Sequence, residues 1–132
     1  MANIPSSVIE FMNRPETVKT LVTASKFGQP HAIVCGSLVA PSPDTVIVGE
    51  ILMKVSSGNM RSNPKVSILM VSGTEAYEIV GKVKERVDSG PMLDGMNQKL
   101  KAMNLQASAV WVFSVEEVYD QGASSKAGTK LV

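Results

Sequence analysis

Ser56, Ser57, Gly58 and Asn59 follow one another in the chain, with Lys54 just before them and Arg61 just after. Hydroxyls, amides and two cations at the start of a short helix are the parts of an anion site, because the free N–H groups and the helix dipole there favour negative charge. A cation strengthens each hydrogen bond to the same anion. The chemistry is binding rather than bond-making, and the pattern alone also fits an ordinary exposed helix start.

The other reactive side chains offer less. His31 opens a strand with no orienting partner in the pattern, which favours a structural or surface role over that of a general base. Cys35 lies mid-strand between Val34 and Gly36, where a buried, inert thiol is the ordinary outcome. One cysteine and one histidine rule out a disulfide framework and any zinc site built from Cys and His within one chain, so no metal is expected. No glycine-rich elbow surrounds a serine, no acidic pair stands out and there is no Walker loop, so no catalytic residue is assigned. Met92, Met96, Leu100 and Met103 recur at helical spacing and are read as core. Lys82, Lys84 and Arg86, with Glu78 and Glu85 interspersed, are read as a solvated strand face.

The elements that must position the polar segment are mostly strands. From Val46 to Val71 an apolar strand runs into Gly49-Glu50, the polar turn and short helix follow, and Asn63-Pro64 launches a second apolar strand, Lys65 to Val71. Upstream, a helix is expected near Ser7 to Asn13 with a Ser7/Glu10 capping box. Strands are expected over Val18 to Ser25 and His31 to Ala40, with the chain leaving the sheet at Pro41-Ser42-Pro43-Asp44 before a strand from Thr45 to Gly49. Downstream, Tyr77, Ile79, Val83 and Val87 alternate with Glu78, Lys82, Lys84 and Arg86, and Gly81 marks a bulge or bend. A helix begins at Pro91 and ends near Asn104, a left-handed cap candidate. Gln106 to Val115 is apolar on both faces, one for the core and one for a helix or partner, and the tail Gln121 to Lys130 reads as flexible. Short strands joined by turn signals predict a mainly β antiparallel barrel with two or three short helices.

The chain has 132 residues, 44% hydrophobic and 19% charged, with a net charge of +1. That length suits one domain over 1–132, and the charge gives no long-range field for nucleic acid or an anionic membrane. No apolar run approaches the roughly 20 residues that span a bilayer, and Met-Ala-Asn-Ile-Pro has no basic lead into an apolar core. With an unpaired cysteine, a soluble cytoplasmic protein is expected.

The order of motifs resembles the FMN-binding split-barrel family related to pyridoxamine phosphate oxidase. The pieces are Leu21-Val22-Thr23-Ala24, Gly28-Gln29-Pro30-His31, Ile47-Val48-Gly49, the run from Ser56 through Asn63-Pro64-Lys65-Val66-Ser67, and Tyr77-Glu78-Ile79-Val80-Gly81-Lys82. They extend from about Thr17 to Val118, and the Asn63 to Ser67 run is the most telling. The resemblance implies a six-stranded Greek-key split barrel that forms a homodimer, with FMN at the dimer interface. It implies that Val34, Cys35 and Gly36 line the isoalloxazine ring through their backbone. Gly49, Glu50, Lys54, Val55, Ser56 and Asn59 would complete the cofactor site, with the phosphate at Val55 and Ser56. Family members usually carry a Lys-Thr or Arg-Lys pair there; Ser56 keeps a hydroxyl, whereas the cation is displaced to Lys54. The arginine-bearing motif by which pyridoxamine phosphate oxidases grip their substrate has no counterpart in Gly128-Thr129-Lys130-Leu131-Val132, so that reaction in the strict sense is not expected. The leading expectation is an oxidoreductase-like or electron-transfer flavoprotein with a small-molecule redox partner. A binding or sensing module that has lost FMN, and a deazaflavin-using reductase, are the alternatives.

Overall fold

The computed structural model describes residues 2–132, which form three α-helices, one 3-10 turn and eight strands. Strands Val18–Ala24 (β1) and Pro30–Val34 (β2) make the first hairpin, closed by Gly28 at φ +90°. The single strand expected over His31 to Ala40 is two. After Val34 the chain turns away at Gly36-Ser37, and Val39–Ser42 (β3) pairs instead with Thr45–Gly49 (β4). Pro41 therefore lies inside a strand rather than outside the sheet, which is possible because β3 is an edge strand whose outer side needs no donor. Asp44 closes that hairpin by accepting hydrogen bonds from the Ser42 and Thr45 hydroxyls, each at 2.9 Å.

From β4 the chain crosses through Lys54–Ser62 (α2) to Lys65–Ser72 (β5), turns at Gly73, and returns as the long strand Glu75–Val87 (β6). Pro91–Leu100 (α3) and a 3-10 turn at Lys101–Met103 lead to Val110–Asp120 (β7), and Asn104 takes the left-handed conformation expected of it, φ 55°. All pairings are antiparallel, in the order β2-β1-β5-β6-β7-β4-β3. The two free edges, β2 and β3, are consecutive in the chain, so the short segment 35–38 spans the seam of a split barrel. The expected mainly β split barrel is present, with eight strands rather than six because one strand divides and Thr129–Lys130 (β8) adds to β7.

Two apolar clusters hold it. The interior contains Leu21, Ile68, Met70, Ile79, Phe113 and Val118, each at most 1% exposed, at roughly 1.5–3 kcal/mol per side chain. Helix Ser6–Met12 (α1) plugs one end with Val8, Phe11 and Met12, and Phe11 meets Tyr77 edge-on at 5.1 Å. The expected capping box is absent: Pro5 occupies the cap and no side chain bonds to it, so burial of the Val8/Phe11/Met12 face holds the helix. Outside the barrel, Met96 and Leu100 of α3 cover Ile47, Val110 and Val112, which accounts for β7 being apolar on both faces.

The β6–β7 register slips between Val80 and Gly81 and again between Val83 and Glu85. The second slip, with Lys84 as the extra residue, reverses the alternation beyond it. Arg86 pairs with Trp111 and turns inward, while Val87 packs with the outer cluster. Both are on the opposite face from the one that simple alternation predicts, and Arg86 does not belong to the solvated row of Lys82 and Lys84. The C-terminal segment expected to be flexible is folded back: Leu131 N–H bonds the Val118 carbonyl at 2.7 Å, and Lys130 pairs with Glu117 at 3.2 Å.

A Cβ on Gly122 would stand 2.9 Å from the Thr74 carbonyl oxygen. Gly122→Ala should lose about 1–3 kcal/mol in denaturant unfolding. Gly58→Ala, in open space on α2, should gain up to about 1 kcal/mol in the same measurement.

Candidate functional site

Strand β4 ends at Gly49, where a side chain would press within 3.2 Å of Ala107 Cβ and 3.3 Å of Met96 Cγ. The next residue, Glu50, is the hub of the site. Its backbone is pinned by Glu50 N–H to the Ala109 carbonyl at 2.8 Å and Ser108 N–H to the Glu50 carbonyl at 3.2 Å. Its carboxylate accepts from four side chains. Oε1 takes the Ser57 hydroxyl (2.7 Å), the Trp111 indole (2.8 Å) and Arg86 Nε (3.1 Å), while Oε2 takes Arg86 Nη2 and the Ser108 hydroxyl, both at 2.7 Å. The bidentate Arg86 holds the Glu50 carboxyl well below the usual carboxylate range against the opposing effect of burial, with Ser108, Ser57 and Trp111 adding to it. Glu50 in turn pushes the Arg86 guanidinium up. The pair stays ionised at any physiological pH, so Glu50 is an organiser of the site and not a proton acceptor.

Beyond Glu50 the chain passes through Leu52, which has φ +51° and is 97% exposed, to Met53 at the head of α2. An apolar side chain held in water, in a conformation costing about 1–2 kcal/mol, sits between two cavities. One, of about 310 Å³, is lined by Val34, Cys35, Gly36 and Gly49 from the seam and β4, with Leu100 and Leu105 opposite. The other, of about 410 Å³, is lined by Glu50, Lys54, Ser57, Gly58, Arg61 and Ser108. Both include Leu52 and Met53, so the apolar and polar cavities adjoin there. Among the described residues no side chain caps α2, which leaves the first-turn N–H groups for water or a ligand.

The residues expected to hold a cofactor divide accordingly. Val34, Cys35, Gly36 and Gly49 line the apolar cavity, and Glu50 and Lys54 the polar one. Val55 points outward, 55% exposed, into neither cavity. Ser56 is fully buried, and its hydroxyl has no partner among the described residues. Asn59 faces β1, its amide donating to Thr23 Oγ1 at 3.0 Å. The hydroxyl that reaches the polar cavity is Ser57, one helical step from the expected one. Arg86, Trp111 and Ser108 went unassigned, since they lie far from Glu50 in the chain and a bulge disguises the facing of Arg86.

The Cys35 thiol is pushed up to about 11 by burial, with the neighbouring Lys19 opposing, and stays protonated at neutral pH. Burial lowers the Lys19 ammonium, which donates to the Leu38 carbonyl at 2.8 Å. Cys35 is thus the inert thiol expected, and it forms part of a cavity wall.

Residues 6–122 match the family model for pyridoxamine 5'-phosphate oxidase. No functionally curated protein matches the chain. Among solved structures, HupZ of Group A Streptococcus superposes with a TM-score of 0.81 at 20% identity, covering 95% of this chain and 99% of that one. An FMN-binding protein from Syntrophomonas wolfei gives 0.77 at 16% identity, over 89% of this chain and 84% of that one. HutZ, the heme storage protein of Vibrio cholerae, gives 0.64 at 14% identity, over 92% and 97%. At these identities the likeness is one of fold.

Because the folded-state carboxyl of Glu50 is depressed, the native protein binds fewer protons than the unfolded chain below about pH 5, and stability from this group is present above the ordinary carboxylate value near 4.3 and declines below it. Glu50→Gln should cost roughly 2–4 kcal/mol at neutral pH by stranding Arg86. Measured by denaturant unfolding, the gap between wild type and variant should shrink as pH falls through about 5 to 3.

Proposed function

The chain belongs to the pyridoxamine 5'-phosphate oxidase family, and from that premise we propose that it is a homodimeric FMN-binding flavoprotein of the oxidoreductase or electron-transfer kind. The observation that carries the reading is the pair of cavities meeting at Leu52 and Met53. One is mainly apolar, with aliphatic walls and small residues along the seam; the other is polar, cationic and set at a helix N-terminus. A ligand that fits both has a flat apolar body and an anionic end, as FMN does.

The chain's residues divide the work of binding. The backbone from Val34 to Gly36, with Gly49 beside it, walls the space for a planar ring. Lys54, Arg61 and the first-turn amides of α2 receive the phosphate. Glu50 does not repel it, because Arg86 balances its charge. Glu50 instead locks Ser57 and Ser108 in place by 2.7 Å hydrogen bonds. Bound FMN would supply one- and two-electron redox chemistry, and the protein's part is to bind, orient and exclude water. Val34, Leu52 and Val55 are 73%, 97% and 55% exposed, an apolar rim that a second copy would cover. No helix among the described residues is long and apolar enough to cross a membrane; the setting we propose is cytoplasmic, with a small-molecule redox partner.

The purified protein should show flavin absorption or bind added FMN with quenching of its fluorescence. The double substitution Lys54→Ala/Arg61→Ala should weaken that binding roughly a hundredfold to ten-thousandfold, at about 1.5–3 kcal/mol for each of the two charged hydrogen bonds lost. A protein that ignores FMN but binds a deazaflavin or hemin in the same titration would overturn the assignment. Light scattering should give a dimer mass that Leu52→Asp reduces; a wild-type monomer would remove the proposed interface.

A further inference from the structure

A third cavity, of about 480 Å³, lies between α3 and the β3–β4 edge, away from the proposed phosphate site and adjoining the proposed ring site. Its walls are Val39, Pro41 and Ile47 from the sheet and Met92, Met96 and Leu100 from the helix side. Lys99 is the only charged residue among those lining it, and it pairs with no carboxylate among the described residues. The one hydroxyl on the wall, that of Ser37, already accepts the Gly49 N–H at 3.1 Å.

Gly95 adds a second, independent observation. It lies mid-helix in α3, where glycine costs about 1 kcal/mol relative to alanine. Neither a turn nor packing asks for it: its φ is not positive, and a Cβ built there would meet nothing within 4 Å. The missing side chain leaves the cavity open. Methionine walls accept varied apolar shapes, and the volume falls within the range of about 300–1,000 Å³ usual for small-molecule sites.

We infer that this cavity binds a small apolar molecule bearing a single anionic group, its body among Met92, Met96 and Ile47 and its charge at Lys99. The cavity shares Gly36, Ser37, Leu100 and Met103 with the apolar cavity assigned to the flavin ring. The occupant lies beside the ring cavity, a placement next to a flavin that rests on the flavin reading, whereas the binding does not.

The test is a fluorescence titration of the full chain with 1-anilinonaphthalene-8-sulfonate, with the uncharged N-phenyl-1-naphthylamine as comparison, with and without FMN. Saturable binding of one sulfonate per chain is expected. Gly95→Leu, which fills the cavity while favouring the helix, should weaken it roughly tenfold or more. Lys99→Gln, at an exposed position that cannot unfold the protein, should weaken the sulfonate severalfold and leave the uncharged probe unchanged. FMN affinity and dimer mass should be unaltered in both variants. Sulfonate binding indifferent to Gly95→Leu would place it elsewhere and overturn the site, and indifference to Lys99→Gln would overturn the anionic class. A change of mass in Gly95→Leu would make the cavity a subunit contact and overturn the proposal too. If wild type fails to bind FMN, the placement beside a flavin falls while the sulfonate results still decide the cavity.

Discussion

The ion pair between Glu50 and Arg86 is the interaction on which the rest of the site depends. Its shortest contact is 2.7 Å, and the two side chains are only 14% and 24% exposed, so each charge would be costly without the other. What it joins matters more than its strength. Glu50 stands at the end of β4, Arg86 near the end of β6, Trp111 in β7, Ser57 in the first turn of α2 and Ser108 in the approach to β7. One carboxylate therefore sets the distance between the head of α2 and the barrel wall.

That arrangement is possible only because β6 is irregular. In a regular strand Arg86 would share a face with Lys82 and Lys84 and point to water; the extra residue at Lys84 rotates it inward beside Trp111, whose ring it approaches at 5.9 Å. The same slip sends Val87 to the outer cluster, where it helps seat α3. A single irregularity thus serves both the polar hub under α2 and the helix that roofs the apolar cavities.

How far the chain could be read in advance follows from which constraints are local. The strands at Val18, Thr45 and Lys65, the turn at Gly73 and the left-handed Asn104 depend on neighbouring residues, and the sequence pattern found them. The break after Val34 was hidden because Cys35 to Ala40 is as β-prone as what precedes it; the departure from the sheet depends on Ser37 bonding Gly49, twelve positions away. The bulge at Lys84 leaves no mark in a two-residue alternation. Within the site, the cluster from Lys54 to Arg61 was recognisable as anion-friendly. The phase of a short polar helix was not, since only packing against β1 decides that Ser56 turns to the core and Ser57 to Glu50. The partners of Glu50 were beyond reach, lying 36, 58 and 61 positions along the chain.

The seam of the barrel has a further meaning. Between β2 and β3 no ladder runs; segment 35–38 is held by Cys35 N–H on the Lys19 carbonyl at 2.9 Å, Lys19 on the Leu38 carbonyl at 2.8 Å and Gly49 N–H on Ser37 at 3.1 Å. Gly36 and Ser37 of that segment wall both apolar cavities. Local opening is cheaper where no ladder holds the backbone, and this seam, held by isolated hydrogen bonds, is also a wall of both cavities. An occupant of either cavity would press on the seam where the barrel is closed by chain and not by a ladder.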